Sequence, residues 1–310
     1  MASPTEIPFE TAEDLLNFVS PLNPFWDAEQ YIFRGQPSDK YKLTPSICRR
    51  GEDSFGYGSP RKAFADTVSR QVHYELEVIS RFLNGCDRSG LVVPGYTQEI
   101  KRQLAHERAS FLTASRSWPL PEMYAIMAVA QHYDVPTRLL DWTERSFVAC
   151  YFAASSAKFE VDSQGMPRIA IWALDTMHSK DWQTVSIIRT PGGTSRNQAA
   201  QSGLFTTHNV RESSLTDYYQ PEALEDVQEI YGVGNTASSL LKITLPLFEA
   251  PVLLLLCSKL GVDGSTLFPG YHGVAKSVRD WANIEVGVKM SRSALDQANA
   301  DSYDNDPDFH

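Results

Sequence analysis

The stretch Arg168-Ile-Ala-Ile-Trp-Ala-Leu174 decides the class of fold that we predict for this chain. Its β-branched and aromatic residues are typical of a buried strand. Leu240-Leu-Lys-Ile-Thr-Leu245 has the same character, and residues 184–220 hold further strand-like pieces. Because these patterns collect in the back half, we expect an α+β protein rather than a doubly wound α/β sheet.

The front half carries mainly helical patterns. Thr11-Ala-Glu-Asp14 is typical of a helix start, with an N-cap threonine followed by early acids. Tyr31-Ile-Phe33 indicates a short strand in this half. Further helices are predicted at about 64–83 with Gly85 as the end, 98–111, 122–132 and 249–260, and a loop at 51–61.

Composition places the chain among ordinary globular proteins, with 42% hydrophobic and 21% charged residues. Lys and Arg total 28 against 38 acids, so the net charge is 28 − 38 = −10, which argues against a protein coated in a basic nucleic-acid-binding face. The net charge does not exclude a basic cleft at one place on the surface. The longest apolar run, residues 250–257, is too short to cross a bilayer. With no signal peptide at the start, we expect a cytoplasmic protein that does not contact membranes.

Arg34 is the first candidate for chemistry, because it follows the short strand and precedes Gly35. A guanidinium fork can bond two oxygens of a phosphate or carboxylate, and glycine lets a ligand or another chain segment approach closely. The alternative is a structural arginine bonded to backbone carbonyls.

A denser cluster is Gln131-His-Tyr-Asp-Val-Pro-Thr-Arg-Leu-Leu-Asp-Trp-Thr143, which we place at a helix–turn–helix joint around Pro136. Such joints set polar side chains in clefts. The alternative is structural. Asp141-Trp-Thr-Glu144 has the spacing of a capping box, so Asp141 would cap the next helix and Arg138 would pair with it.

A third cluster runs from Ser195 to His208, where polar groups near Gly203 and Phe205 suit nucleotide recognition or a solvated loop that enters a strand. The chain has no G-x-S-x-G, P-loop, G-x-G-x-x-G or H-E-x-x-H motif. Its histidines and its four separate cysteines show no metal-ligand spacing, so we predict no metal site.

These clusters, in this order, resemble the FRG domain family, which is named for its Phe-Arg-Gly tripeptide. The matching segments are Tyr31-Ile-Phe-Arg-Gly-Gln36 with Leu43-Thr-Pro-Ser46, residues 131–143 continuing to Tyr151-Phe-Ala153, Gln201-Ser-Gly-Leu-Phe205, and Leu260-Gly-Val262 with Thr266-Leu-Phe-Pro269. The resemblance implies an FRG domain at 18–280, after a lead-in at 1–17 and before a C-terminal extension at 281–310 with a solvated acidic tail. Asp134, Ser202 and Gly270 depart from the family pattern of Gly, Gln and Asp.

The aromatic-Arg-Gly at a strand end is also similar to the first motif of ADP-ribosyltransferases. This similarity implies a mostly helical N-terminal half around a split, mainly antiparallel sheet, with NAD as the substrate. The residues implied in catalysis are Arg34, His132, Tyr133, Arg138 and Asp141. Those implied in NAD binding are Phe33, Arg34, Gly35, Gln36, Thr137, Thr143, Gln201 and Phe205. The usual late-strand glutamate is not identified, since Glu212, Glu225 and Glu229 all lie in polar surroundings.

The resulting hypothesis is an NAD-dependent ADP-ribosyltransferase, acting as a toxin or phage-defence effector and restrained by an antitoxin protein. The alternative is a non-enzymatic nucleotide- or nucleic-acid-binding module. A third possibility is a nuclease or other hydrolase, which would need a metal site. RNA or DNA is the expected acceptor, because basic groups lie near the motifs. They are Lys101, Arg102, Arg108, Arg116, Arg189, Arg196 and Arg211.

Overall fold

The computed structural model describes residues 3–26, 31–49, 67–106, 118–157, 167–192, 195–210, 217–218, 222–231 and 239–304, with backbone alone at 105–106 and 289–304. The predicted loop at 51–61 lies outside these residues. The described strands are β1 (Thr5–Pro8), β2 (Tyr31–Gln36), β3 (Leu140–Thr143), β4 (Arg168–Asp175), β5 (Val185–Ile188), β6 (Gly203–His208) and β7 (Leu240–Pro246). The described helices are α1 (Ala12–Val19), α2 (Val68–Arg88), α3 (Gln98–His106), α4 (Tyr124–His132), α5 (Ser146–Ser155), α6 (Arg196–Ala200), α7 (Ala250–Lys259), α8 (Gly264–Leu267) and α9 (Tyr271–Asp304).

The strands form one seven-stranded sheet in the order β1-β7-β4-β2-β3-β6-β5. Neighbouring strands are antiparallel, except that β1 runs parallel to β7. The α+β class is therefore confirmed, with a mixed and mainly antiparallel sheet. Strands β1, β2 and β3 come from the front half of the chain, and β1 lies in the segment 1–17 that we assigned to a lead-in.

The sheet is weakly joined at its centre. Strand β2 pairs with β4 along its whole length, and β3 pairs with β6 along its whole length. Between β2 and β3, however, the register holds one pair, Phe33 with Thr143. The edges of the two strands therefore diverge on the side of Arg34 and Asp141.

Alternating side chains of the strands fill cores on both faces of the sheet. Phe33, Ile171 and Ile243 pack with α1, α5 and α7 on one face. Ile32 and Trp172 belong to the core of the other face. Helices α2, α3 and α4 enclose a separate cluster of their own, which Phe205 of β6 joins.

The predicted capping box at Asp141 is wrong. Asp141 lies inside strand β3, paired with Phe205 of β6, so the central cluster forms a helix–strand–helix segment. The residue that precedes α5 is Arg145, whose backbone N–H donates to Thr143 Oγ1 at 3.1 Å. The local spacing matched a cap, but a strand pairing about sixty residues away determines the conformation.

Other helix boundaries follow the predictions more closely. The Thr11 side chain caps α1 by accepting a hydrogen bond from the Asp14 backbone N–H. Helix α7 is followed by Gly261 at φ +75°. Gly85, by contrast, does not end α2, which continues to Arg88.

The long helix α9 was not predicted, because its sequence shows only weak helical periodicity. It packs on α5 through Tyr151, whose buried hydroxyl donates to Asp280 at 2.8 Å. Its Gly287 lies so close to Pro251 of α7 that a side chain there would overlap. Backbone of the expected acidic tail continues this helix to Asp304. Among the described helices, none has the length and apolar character needed to cross a bilayer.

Candidate active site

A cavity of about 480 Å³ lies beside the divergence of β2 and β3. Segments of all four motifs contribute to its wall, although they are far apart in the sequence. The lining residues are Phe33, Arg34, Gly35, Gln36, Pro37, Tyr41, Arg49, Gln131, His132, Asp141, Trp142, Thr143, Phe152, Ser156, Gln201 and Phe268. The volume lies within the range of about 300–1,000 Å³ that is usual for small-molecule sites.

Arg34 links the two diverging strands. Its Nη1 donates to the backbone oxygen of Asp141 at 2.7 Å and lies 3.5 Å from Asp141 Oδ2. Its side chain is only 14% exposed, and its buried Nε has no hydrogen-bond partner among the described residues. Burial lowers the pKa of this guanidinium, Asp141 raises it, and nearby Arg49 lowers it again. The positive charge is thus incompletely compensated, and an anion in the cavity would stabilise it.

Asp141 carries the one carboxylate among the described residues that line the cavity. Its Oδ1 accepts a hydrogen bond from Gln131 Nε2 at 2.7 Å, while Oδ2 faces Arg34. The Gln131 amide is oriented in turn by the Thr137 hydroxyl, which donates to its Oε1. The side chain of Asp141 is 60% exposed, so a ligand can reach it.

His132 lines the main cavity and also a smaller one of about 80 Å³. The small cavity shares Gln131, His132, Asp141, Trp142 and Gln201 with the large one. Asn197 Nδ2 lies 3.3 Å from His132 Nε2, at the long end of the hydrogen-bond range. The five shared residues line both cavities, so the two cavities are adjacent compartments of one site, and we call these residues the polar wall.

The third and fourth motifs are tied to each other at the cavity. Gln201 Nε2 donates to the Leu267 backbone oxygen at 3.1 Å, and the Gln201 backbone oxygen accepts from Thr143 Oγ1 at 2.6 Å. The ring of Phe268 lies against Phe152, with 6.0 Å between centroids. Together these contacts hold an aromatic part of the wall in place.

Glycine and glutamine of the first motif serve the scaffold. A Cβ on Gly35 would lie 2.0 Å from the Ala149 backbone oxygen, so its close approach is to helix α5 rather than to a ligand. Gln36 is buried and accepts a hydrogen bond from Trp172 Nε1 at 2.9 Å. Both residues line the cavity while holding β2 to its neighbours.

Four predicted residues do not reach the large cavity. Arg138 is buried and pairs with Glu75, so the expected pairing of Arg138 with Asp141 is wrong. Thr137 supports Gln131, and Phe205 lines only the small cavity. Tyr133 is 68% exposed and lines neither cavity.

Several lining residues were missed. Gln131, Trp142, Phe152 and Phe268 all lie inside the quoted motifs, and their position in those motifs was the available signal. Tyr41, Arg49 and Ser156 lie outside any quoted motif, and nothing in the local sequence marks them.

The glutamates considered for catalysis are structural where described. Glu225 accepts the Leu43 backbone N–H at 3.0 Å. Glu229 accepts backbone N–H groups of Gln183, Thr184 and Val185, which lower its pKa against the opposing effect of burial. Glu212 lies outside the described residues.

The departures from the family pattern occur at turns. Asp134 and Ser202 have φ of +60° and +48°, the region that favours glycine. Gly270, at φ +114°, directly precedes α9, so a carboxylate at this position would be beside a helix start. This position suits helix capping as well as chemistry.

The described basic residues near the motifs are mostly paired. Lys101 pairs with Asp87, Arg102 with Glu99, and Arg189 with Glu144. Arg108, Arg116 and Arg211 lie outside the described part of the chain. In that part, no group of three or more His, Cys, Asp or Glu residues is placed to hold a metal ion.

Comparison with known proteins identifies one family. No curated protein and no solved structure matches the chain. The family model for the FRG domain matches residues 29–161. This range includes the first two motifs, and the third and fourth motifs, outside it, reach the same cavity. Residues 29–161, somewhat less than half of the chain, therefore match the FRG domain family.

Proposed function

We propose that the protein is an NAD-dependent ADP-ribosyltransferase that modifies nucleic acid. The observation that carries the proposal is the convergence of the motifs on one cavity that holds two guanidinium groups and one carboxylate. A dinucleotide combines a diphosphate, which needs cations, with a ribose, which needs a hydrogen-bond acceptor.

Arg34 and Arg49 suit the diphosphate. The fork of a guanidinium can bond two phosphate oxygens, and the incomplete compensation of Arg34 favours an anion next to it. Phe152 and Phe268 offer ring surfaces for a flat base. The lining thus offers cations for a diphosphate and ring surfaces for a base, which supports the proposal.

Asp141 suits the reacting ribose. In glycosyl transfer from NAD, the bond between C1′ and the nicotinamide nitrogen breaks, and its electron pair leaves with nicotinamide. The ribose becomes cationic in the transition state, so a fixed carboxylate next to it lowers the barrier. Gln131 and Arg34 fix Asp141 before the substrate arrives.

Incubation of the purified protein with labelled NAD and cell lysate tests the proposal. We expect release of nicotinamide and label on RNA or DNA, and Asp141→Asn should abolish both. Absence of nicotinamide release and of label on any macromolecule would overturn the proposal. Saturable calorimetric binding of NAD that stays intact after long incubation would instead support a binding module.

We further propose that this activity makes the protein a toxin or phage-defence effector, restrained by an antitoxin protein. Consumption of NAD and modification of nucleic acid would both stop growth. Induced expression of the wild type should arrest cells, whereas Asp141→Asn at equal abundance should not. Equal growth of both strains contradicts the biological role but leaves the enzymatic proposal to the labelling assay.

A further inference from the structure

The polar wall divides the site into unequal compartments. Gln131, His132, Asp141, Trp142 and Gln201 face both of them. Among the described residues that line either compartment, the arginines are Arg34 and Arg49, and both line the large compartment. The small side adds no charged group among the described residues; its own lining is Ala128, Ser195, Gln198, Gly203, Leu204 and Phe205.

We infer that the small compartment is the acceptor site, and that it takes the edge of a nucleobase. The inference rests on the proposed function, because it assigns the large compartment to NAD. A volume of about 80 Å³ equals that of a few water molecules and cannot hold a whole base. An exocyclic amine or ring nitrogen fits, next to the Ser195 hydroxyl and the Gln201 amide.

The remainder of the base then lies outside the compartment, where Tyr133 is placed to receive it. The Tyr133 ring centroid is 5.0 Å from that of His132, which lines the compartment. The side chain is 68% exposed, so a base can reach its ring. An exposed ring can stack on any base, so this contact suits a nucleic acid acceptor.

Geometry at the wall supports transfer between the compartments. The acceptor nitrogen forms a bond to C1′ of the nicotinamide ribose while the bond from C1′ to nicotinamide breaks. The proton of the acceptor passes to His132 Nε2, which now faces the Asn197 amide, and then to water. No oxidant or reductant is required, and the products are nicotinamide and an ADP-ribosylated base.

Tyr133 provides a test that separates the acceptor from the donor half. Full-length wild type, Tyr133→Ala and Tyr133→Trp are incubated with labelled NAD, with and without mixed-sequence single-stranded RNA and DNA oligonucleotides. Tyr218→Ala is the matched control, since Tyr218 is 67% exposed and lines neither cavity. Nicotinamide released to water and label on the oligonucleotide are measured separately.

We expect Tyr133→Ala to lower the ratio of oligonucleotide labelling to nicotinamide release about tenfold, the loss typical of one stacked base. Tyr133→Trp should restore labelling, and Tyr218→Ala should have no effect. Wild-type labelling by Tyr133→Ala, loss of both activities in it, or label on protein alone would each overturn the inference. If the wild type releases no nicotinamide, the proposed function itself fails, and the acceptor assignment fails with it.

Discussion

Arg34 is mostly buried but has an accessible partner, since Asp141 is 60% exposed. Removing the guanidinium therefore leaves a carboxylate that water can solvate. If the proposed function is correct, Arg34→Ala should lower the rate of NAD cleavage by at least about a hundredfold. The free energy of unfolding should fall by no more than about 1–3 kcal/mol, because the backbone oxygen of Asp141 loses a charged donor while its carboxylate stays solvated. Nicotinamide release and urea denaturation measure the two effects, and a large loss of stability would show that Arg34 is structural.

Arg138 is the contrasting arginine, because its side chain and that of Glu75 are 5% and 3% exposed. Arg138 Nε lies 2.9 Å from Glu75 Oε2, which also accepts from Trp118 Nε1. We predict that Arg138→Ala destabilises the fold by about 3–5 kcal/mol, since it leaves a buried charge unpaired. In a double-mutant cycle with Glu75→Ala the losses should be strongly non-additive, whereas those of Arg138→Ala and Asp141→Ala should add. Additivity with Glu75 would contradict the pairing.

Asp134 follows helix α4 in a left-handed conformation, at φ +60°. The backbone N–H of Val135 donates to the Ala130 oxygen and that of Asp134 to the Gln131 oxygen, the pattern of a Schellman motif. We predict that Asp134→Gly stabilises the protein by about 0.5 kcal/mol, because glycine adopts this φ without strain. Gly261→Ala, at φ +75° in open space, should have the opposite effect. Thermal melts compare the two, and equal signs would contradict the explanation.

At the scale of elements, α5 lies directly on β2 because position 35 has no side chain. A Cβ there would be 2.0 Å from the Ala149 oxygen and 2.5 Å from the Ala153 nitrogen, both in helix backbone. We predict that Gly35→Ala destabilises the fold by about 3 kcal/mol through overpacking. Gly85→Ala is the control. It lies inside α2 with no atom within 4 Å of its Cβ and should stabilise by up to about 1 kcal/mol. Unfolding curves that agree for the two variants would show that the α5–β2 contact is not tight.

Elements with a strong local pattern could be predicted from sequence. The strand that begins at Arg168 and the helix capped by Thr11 follow from their own residues. Strand β3 could not be predicted, because Asp141 and Glu144 have the local spacing of a capping box, whereas residues 140–143 are held in a strand by β6. Sequence spacing reports nearby contacts, whereas this pairing depends on residues far along the chain.

The site shows the same limit at the scale of the whole molecule. Arg34, His132 and Asp141 were chosen from motifs, and the fold brings them to one cavity. Arg138 was chosen on the same grounds, but its partner Glu75 is in a helix that precedes it by about sixty residues. Motif membership selected residues around one cavity, without separating those that face the cavity from those that hold the fold together.

The acidic net charge of −10 leads to a prediction about salt. If the acceptor is a nucleic acid, cations near the site must contact phosphates against an otherwise repellent surface. We predict that labelling of RNA falls about tenfold between roughly 50 and 200 mM salt, as expected when a few phosphates are contacted. Release of nicotinamide to water should change little over this range and serves as the control. A flat labelling profile would show that phosphate contacts do not guide the acceptor.

Because a single residue pair joins β2 to β3 in the sheet register, the sheet consists of two parts that are weakly connected to each other. The larger part contains strands β1, β7, β4 and β2, and the smaller part contains β3, β6 and β5. Next to the pair of Phe33 with Thr143, the hydrogen bond from the Arg34 side chain to the Asp141 backbone oxygen also connects β2 to β3. A ligand that binds between β2 and β3 would contact both strands where few backbone hydrogen bonds join them, and it would therefore hold the two parts of the sheet together. Binding of a ligand at this position should therefore slow backbone hydrogen exchange in β3, β5 and β6 more than in β1, β2, β4 and β7.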